Sequence, residues 1–289
     1  MLKQLLKYEF KATSRVYGGL YLALALLSVV LGVSVRGETL LPSNSRVWQF
    51  ILILSIVYAA VIAAIAVLCF VTTIQRFNKN LLGREGYLMH TLPVTETQLI
   101  LSKLITSMVW VIGSIVLGIV CITVMVGIGV FEPETFSIPD WNSWMTRLHE
   151  AFGNLHESLG TNFWVILFWT VCINLARLAS LILCVYTACM IAHQFKNHTL
   201  AAGILAFIGL NFVENQIDQL LGTDSVNMFV DVSYQVVGIH VDRGWSVAQR
   251  LAAFGPNVYY LACFVFTAAI AAGYFFLTRW LMKNKLNLE

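Results

Sequence analysis

Six apolar runs set the frame for this chain and leave little room for any fold that does not cross a membrane. A spanning helix needs about 20 mainly apolar residues. Residues 17–35, 48–73, 108–130, 163–191 and 258–282 meet that length or come close to it, and 199–213 is a shorter sixth candidate. Inside hydrocarbon the backbone must satisfy its own hydrogen bonds, so such runs fold as helices. The expected class is therefore all-α: a polytopic membrane protein with six transmembrane helices, residues 1–289 forming a single transmembrane domain. Composition agrees. Charged residues make up 11% of the chain, where soluble domains carry about 25%.

Charge placement then orients the spans. With an even number of spans both termini share a side, and cytoplasmic flanks are enriched in Lys and Arg. Lys3, Lys7, Lys11, Arg15, Arg76, Lys79, Arg84, Lys103, Lys196, Arg279, Lys283 and Lys285 fall on one side, with only Glu9, Glu85, Glu96 and Glu289 to offset them. The opposite segments, including 131–162 and 214–257, hold most of the acids. This asymmetry predicts both termini in the cytoplasm. Lys3, Lys7, Lys11 and Arg15 recur every four residues, a stripe on one helical face, so 1–15 is expected to be a helix along the membrane interface. In the outer segment 214–257, alternation over 226–236 suggests a strand, and 245–254 a short amphipathic helix stopped at Gly255-Pro256.

Few residues offer chemistry. The six cysteines lie in apolar runs without a Cys-x-x-Cys pair, so they read as packing thiols. No Gly-x-x-x-x-Gly-Lys phosphate loop occurs, so this chain has no nucleotide site of that kind. His149-Glu150 and His156-Glu157 lie two helical turns apart but lack the His-Glu-x-x-His spacing of zinc proteases, which favours a solvated helix over a metal site. No enzyme activity, bound cofactor, metal or nucleic-acid partner is expected of the chain itself. Arg177, next to Asn174 deep in the fourth run, is different. A charge there costs about 2.5–3.5 kcal/mol on insertion scales and faces protein or water, as part of a translocation path, a latch or a structural anchor. No acid falls within the five longer runs, which weighs against an ion-coupled transporter. Ala59/Ala63, Ala60/Ala64, Ala268/Ala272 and Ala269/Gly273 are spaced for close helix approach.

The loop 76–103 carries the most specific pattern. Pro93 ends any helix coming from Arg84, because the residue before proline avoids the α region. Thr95 and Gln98 then have the spacing of a capping box for a new helix, which continues through Lys103 into the third run. The apolar side of Tyr87, Leu88, Met89 and Leu92 calls for a partner. The stretch "NLLGREGYLMHTLPVTETQLILSKLI" resembles the permease subunits of bacterial type-2 ABC exporters, in particular the multidrug, bacitracin and lantibiotic-protection permeases of Firmicutes. The residue match covers about 81–103, and the layout of spans follows the same plan. The resemblance implies a cytoplasmic coupling helix, with Gly83, Arg84, Glu85, Gly86, Tyr87, Leu88, Met89 and Pro93 docking on a separate ABC ATPase subunit that holds the ATP and magnesium. It further implies a second permease subunit, a location in the bacterial cell membrane, and export of an amphipathic or peptide-like compound. A non-transporting immunity or sensor protein and an ion-coupled transporter are the competing readings.

Overall fold

The computed structural model describes residues 2–40, 45–79, 95–130, 145–146, 149–150, 153, 163–195, 198–221 and 256–285. Six long helices account for nearly all of them: α1 (Leu2–Leu40), α2 (Ser45–Phe77), α3 (Glu96–Val130), α4 (Phe163–Ala192), α5 (Thr199–Leu221) and α6 (Pro256–Lys285). Each is long and apolar enough to span a membrane. Among the described residues there is no strand. The loop residues 80–94, with the docking set Gly83 to Pro93, lie outside the described residues, as do the strand expected at 226–236 and the helix at 245–254.

The helices form two units. The first comprises Met1–Thr73 and Ile105–Phe152, and its core is built from α1, α2 and α3. Tyr17, Leu24, Tyr58, Ile65, Cys69 and Cys121 are the buried residues of that core. On α1 the inner face runs Glu9, Thr13, Tyr17, Leu24, Ser28, Leu31, the spacing of one side of a 3.6-residue helix. Lys3, Lys7, Lys11 and Arg15 are exposed on another side, as their spacing predicts. The interfacial helix expected over 1–15 is not a separate element: α1 is continuous from Leu2 to Leu40. It passes through Gly18 and Gly19, which together oppose helix by about 2 kcal/mol relative to alanine; packing of the inner face overrides that. A side chain at Gly32 would stand 3.0 Å from both the Ile128 Cβ and the Met125 carbonyl oxygen, so α1 and α3 touch there almost backbone to backbone.

The second unit comprises Ile74–Leu104 and Gly153–Glu289. In it α4 packs against both α5 and α6. The carboxyl half of α4 is the most buried stretch described, with every residue from Ile182 to Met190 inside. Phe77 at the end of α2 stacks on Tyr186, ring centroids 4.2 Å apart at 11°, and both side chains are buried. Leu99, Ile100, Ser102, Lys103 and Leu104 from the start of α3 are buried as well. The helix starts at the expected place: the Thr95 carbonyl accepts from the amides of Gln98 and Leu99, and Glu96 lies in the first turn, where a negative charge complements the helix dipole. In place of the capping-box bond expected toward Gln98, the Thr95 hydroxyl pairs with the Thr97 hydroxyl at 2.9 Å.

The fifth run extends further than hydropathy indicates. α5 continues to Leu221, so residues 214–221, the start of the segment 214–257, are helical. The small-residue repeats also behave differently from expectation. Ala59, Ala60, Ala63, Ala64, Ala269, Ala272 and Gly273 are exposed, with Ala268 half-buried; the tight approaches come instead at Gly32 and at Gly203, where an added Cβ would meet that of Ala192 at 3.2 Å.

Candidate functional site

The polar residues of the second unit line up on three helix faces. Arg177, Ser180, Cys184 and Thr187 follow one another at three- and four-residue steps on α4, and such residues share a helical face. Asn211, Glu214 and Asp218 do the same on α5, and Tyr274 and Thr278 on α6. In a bilayer these groups have no water to turn to, so the three faces satisfy one another.

The contacts form a seam. An Arg177 guanidinium nitrogen (NH2) lies 3.6 Å from Asp218 Oδ2. The Ser180 hydroxyl donates to Glu214 Oε1 at 2.7 Å, and the Tyr274 hydroxyl to Oε2 of the same carboxylate at 3.1 Å. Tyr274 also lies 3.3 Å from the Leu210 carbonyl oxygen. The Asn211 amide points to the Cys184 sulfur at 3.6 Å. At the far end Thr187 and Thr278 hydroxyls pair at 2.9 Å, both fully buried. Among the described residues of α5, Asp218 is the single one that is buried. An acid as the most protected residue of a membrane helix is unusual, and it places the seam on the side of α5 that meets its neighbours.

Arg177 thus lies deep in the fourth apolar run, as expected, and meets an acid from a helix thought to end before that acid. Asn174 does not join it: its side-chain amide is exposed and donates to the Thr170 carbonyl of its own helix at 2.8 Å. Glu214, Asp218, Ser180 and Tyr274 were not anticipated. The readable signal was the four-residue spacing of Glu214 and Asp218 directly after an apolar run, which sets both acids on one face if the helix simply continues. Their presence on α5 removes the main objection to ion coupling.

A second polar group, in the first unit, surrounds Trp110 of α3. Its ring stacks on Tyr17 of α1 at 4.3 Å and 10°, and its indole N–H donates to Thr13 Oγ1 at 2.7 Å. Tyr17 pairs with Thr72 at 2.7 Å and Tyr21 with Ser114 at 2.6 Å. Each hydroxyl end of these aromatic rings is thereby satisfied, the arrangement that lets tyrosine and tryptophan sit inside an apolar bundle. The group joins α1, α2 and α3 and carries no charge.

No group of three or more His, Cys, Asp or Glu residues suited to a metal ion occurs among the described residues. All six cysteines are free thiols; five are buried and Cys172 is half-buried. Comparison with protein-family models, curated proteins and solved structures found no match to the chain.

Proposed function

We propose that this chain is the membrane-spanning permease subunit of an ATP-driven exporter, with ATP and magnesium bound by a separate ATPase subunit that docks on the segment Gly83–Pro93. The chief support is where the two ends of that segment are fixed. Phe77, before it, is stacked on Tyr186 of α4; Leu99 and Ile100, after it, are buried in the same unit as α4 and α6. A force applied at Gly83–Pro93 would reach α4 directly through these stems, and α4 carries the charged seam. Interiors packed this closely transmit displacement instead of absorbing it. The sequence pattern Glu85-Gly86-Tyr87-Leu88 followed by Leu92-Pro93-Val94 supports the identity of the partner as an ABC ATPase. Two permease chains, identical or paired with a relative, would complete the assembly in the bacterial cell membrane with termini in the cytoplasm. The cargo the resemblance implies is an amphipathic or peptide-like compound.

The test is affinity purification from native membranes, scored as ATP hydrolysis in the eluate. A co-purifying ATPase that is lost when Tyr87 and Leu88 are both replaced by Asp supports the reading; an eluate without ATPase, or one indifferent to the substitutions, refutes it.

Glu214 and Asp218 favour a second reading, ion-coupled transport, because ionisable residues inside spans mark ion and proton paths. The two readings separate on energy source. Transport by vesicles that persists without ATP and collapses when the ion gradient is dissipated belongs to the second.

A further inference from the structure

α5 joins its neighbours through charged and polar side chains. Beyond Gly203 it meets α4 and α6 through a row of polar contacts: Asn211 to Cys184, Glu214 to Ser180 and Tyr274, Asp218 to Arg177. Most of its large apolar side chains face outward: Leu200, Ile204, Leu205, Ile208, Phe212 and Val213 are exposed, while Ala206, Phe207 and Leu210 are half-buried. In lipid an apolar face gains little by choosing protein over acyl chains, so these residues do not hold α5 in place. At the other end the helix is pinned. A Cβ at Gly203 would lie 3.2 Å from that of Ala192, and only the short connection 193–198 joins α4 to α5.

We propose that α5 is a gate, hinged where Gly203 meets Ala192 and latched by the Arg177–Asp218 pair together with the Ser180–Glu214–Tyr274 bonds. Fifteen residues separate hinge and latch, a lever of roughly 22 Å, so a tilt of about 10° carries Asp218 about 4 Å away. That displacement breaks the latch completely, since salt bridges and hydrogen bonds do not survive it. Arg177, Glu214 and Asp218 then face an opening between α4, α5 and α6 that only water can occupy, because uncompensated charges in hydrocarbon are too costly. Opening the gate therefore hydrates the cleft. The proposal stands whichever energy source drives the protein.

Cys184 is the natural reporter: it is fully buried and lies on the seam against Asn211. The experiment uses the full chain in lipid nanodiscs, with Cys184 as the sole cysteine and a water-soluble maleimide as the probe. The hinge-side control is a second chain in which Cys189 is the sole cysteine. Asp218→Asn should raise the Cys184 labelling rate by about tenfold, the factor for one strong intramembrane polar contact, and leave Cys189 unchanged. The pair Ser180→Ala/Tyr274→Phe should raise it by a smaller factor and serves as the deciding variant should Asp218→Asn not fold. Unchanged Cys184 labelling in the folded variants overturns the gate. So does an equal rise at Cys189, which would mean general loosening of the bundle.

Discussion

Replacing Arg177 by Met isolates the ion pair at the centre of the seam. In the structure the guanidinium lies 3.6 Å from Asp218, and the two side chains are 22% and 10% exposed. The substitution removes a charge that costs about 2.5–3.5 kcal/mol to place at bilayer depth, but it leaves Asp218 facing a thioether. One-sided removal of a buried pair in soluble proteins costs about 3–5 kcal/mol, mostly from the stranded partner. Intramembrane polar contacts measured by double-mutant cycles average near 0.6 kcal/mol and reach about 1.7. Arg177→Met alone should therefore destabilise the protein by about 2 kcal/mol, and Asp218→Asn alone by a similar amount. The double variant should cost less than the sum by at least about 1 kcal/mol, because neither charge is then stranded. Steric-trapping or denaturant unfolding in bicelles measures all four corners of the cycle. Strict additivity would show that Arg177 and Asp218 do not act as a pair and would remove the charged contact from the seam.

Other expectations follow from the same packing. Gly32→Leu drives a side chain into the Ile128 Cβ and the Met125 carbonyl oxygen, both 3.0 Å from the position of its Cβ, and should cost about 1–3 kcal/mol; wild-type stability would show that α1 and α3 do not approach there. Phe77→Ala empties a fully buried stacking position against Tyr186 and should cost about 3 kcal/mol, measured by the same unfolding assay. Thr187→Val should cost well under 1 kcal/mol, because Thr278 keeps its bond to the Tyr274 carbonyl at 2.8 Å and a valine fills the same space. For topology, a cysteine at Ser225 should react with an impermeant reagent from outside the cell and one at Asn197 only after permeabilisation; the opposite pattern at Asn197 would refute the six-span orientation.

The spans themselves were legible because their signal is local: a run of about 20 apolar residues must be helical in lipid. The start of α3 at Glu96 was legible too, since Pro93 and Thr95 act within one turn of where they stand, but the pairing of the Thr95 hydroxyl with Thr97 was not. The extent of α5 was not. Glu214 and Asp218 count as polar in any running average of hydropathy, and what keeps them in the helix are Arg177 and Ser180 on α4 and Tyr274 on α6, dozens of residues away. Continuity of α1 was hidden in the same way, since the inner face from Glu9 to Leu31 has to be packed before it outweighs Gly18 and Gly19. The alanine repeats show the converse failure: spacing permits close approach, but the neighbours that would use it are not on those faces of this chain.

The central proposal is that the segment Gly83–Pro93 receives a separate ATPase. A photo-crosslinking amino acid at Leu88, in the protein expressed in its native membrane, tests it most directly, with the exposed Leu200 of α5 as the control position. The account predicts that Leu88 captures a nucleotide-binding chain, identified by mass spectrometry, and that Leu200 does not. Capture of lipid alone at Leu88, or of the same proteins at both positions, would contradict it.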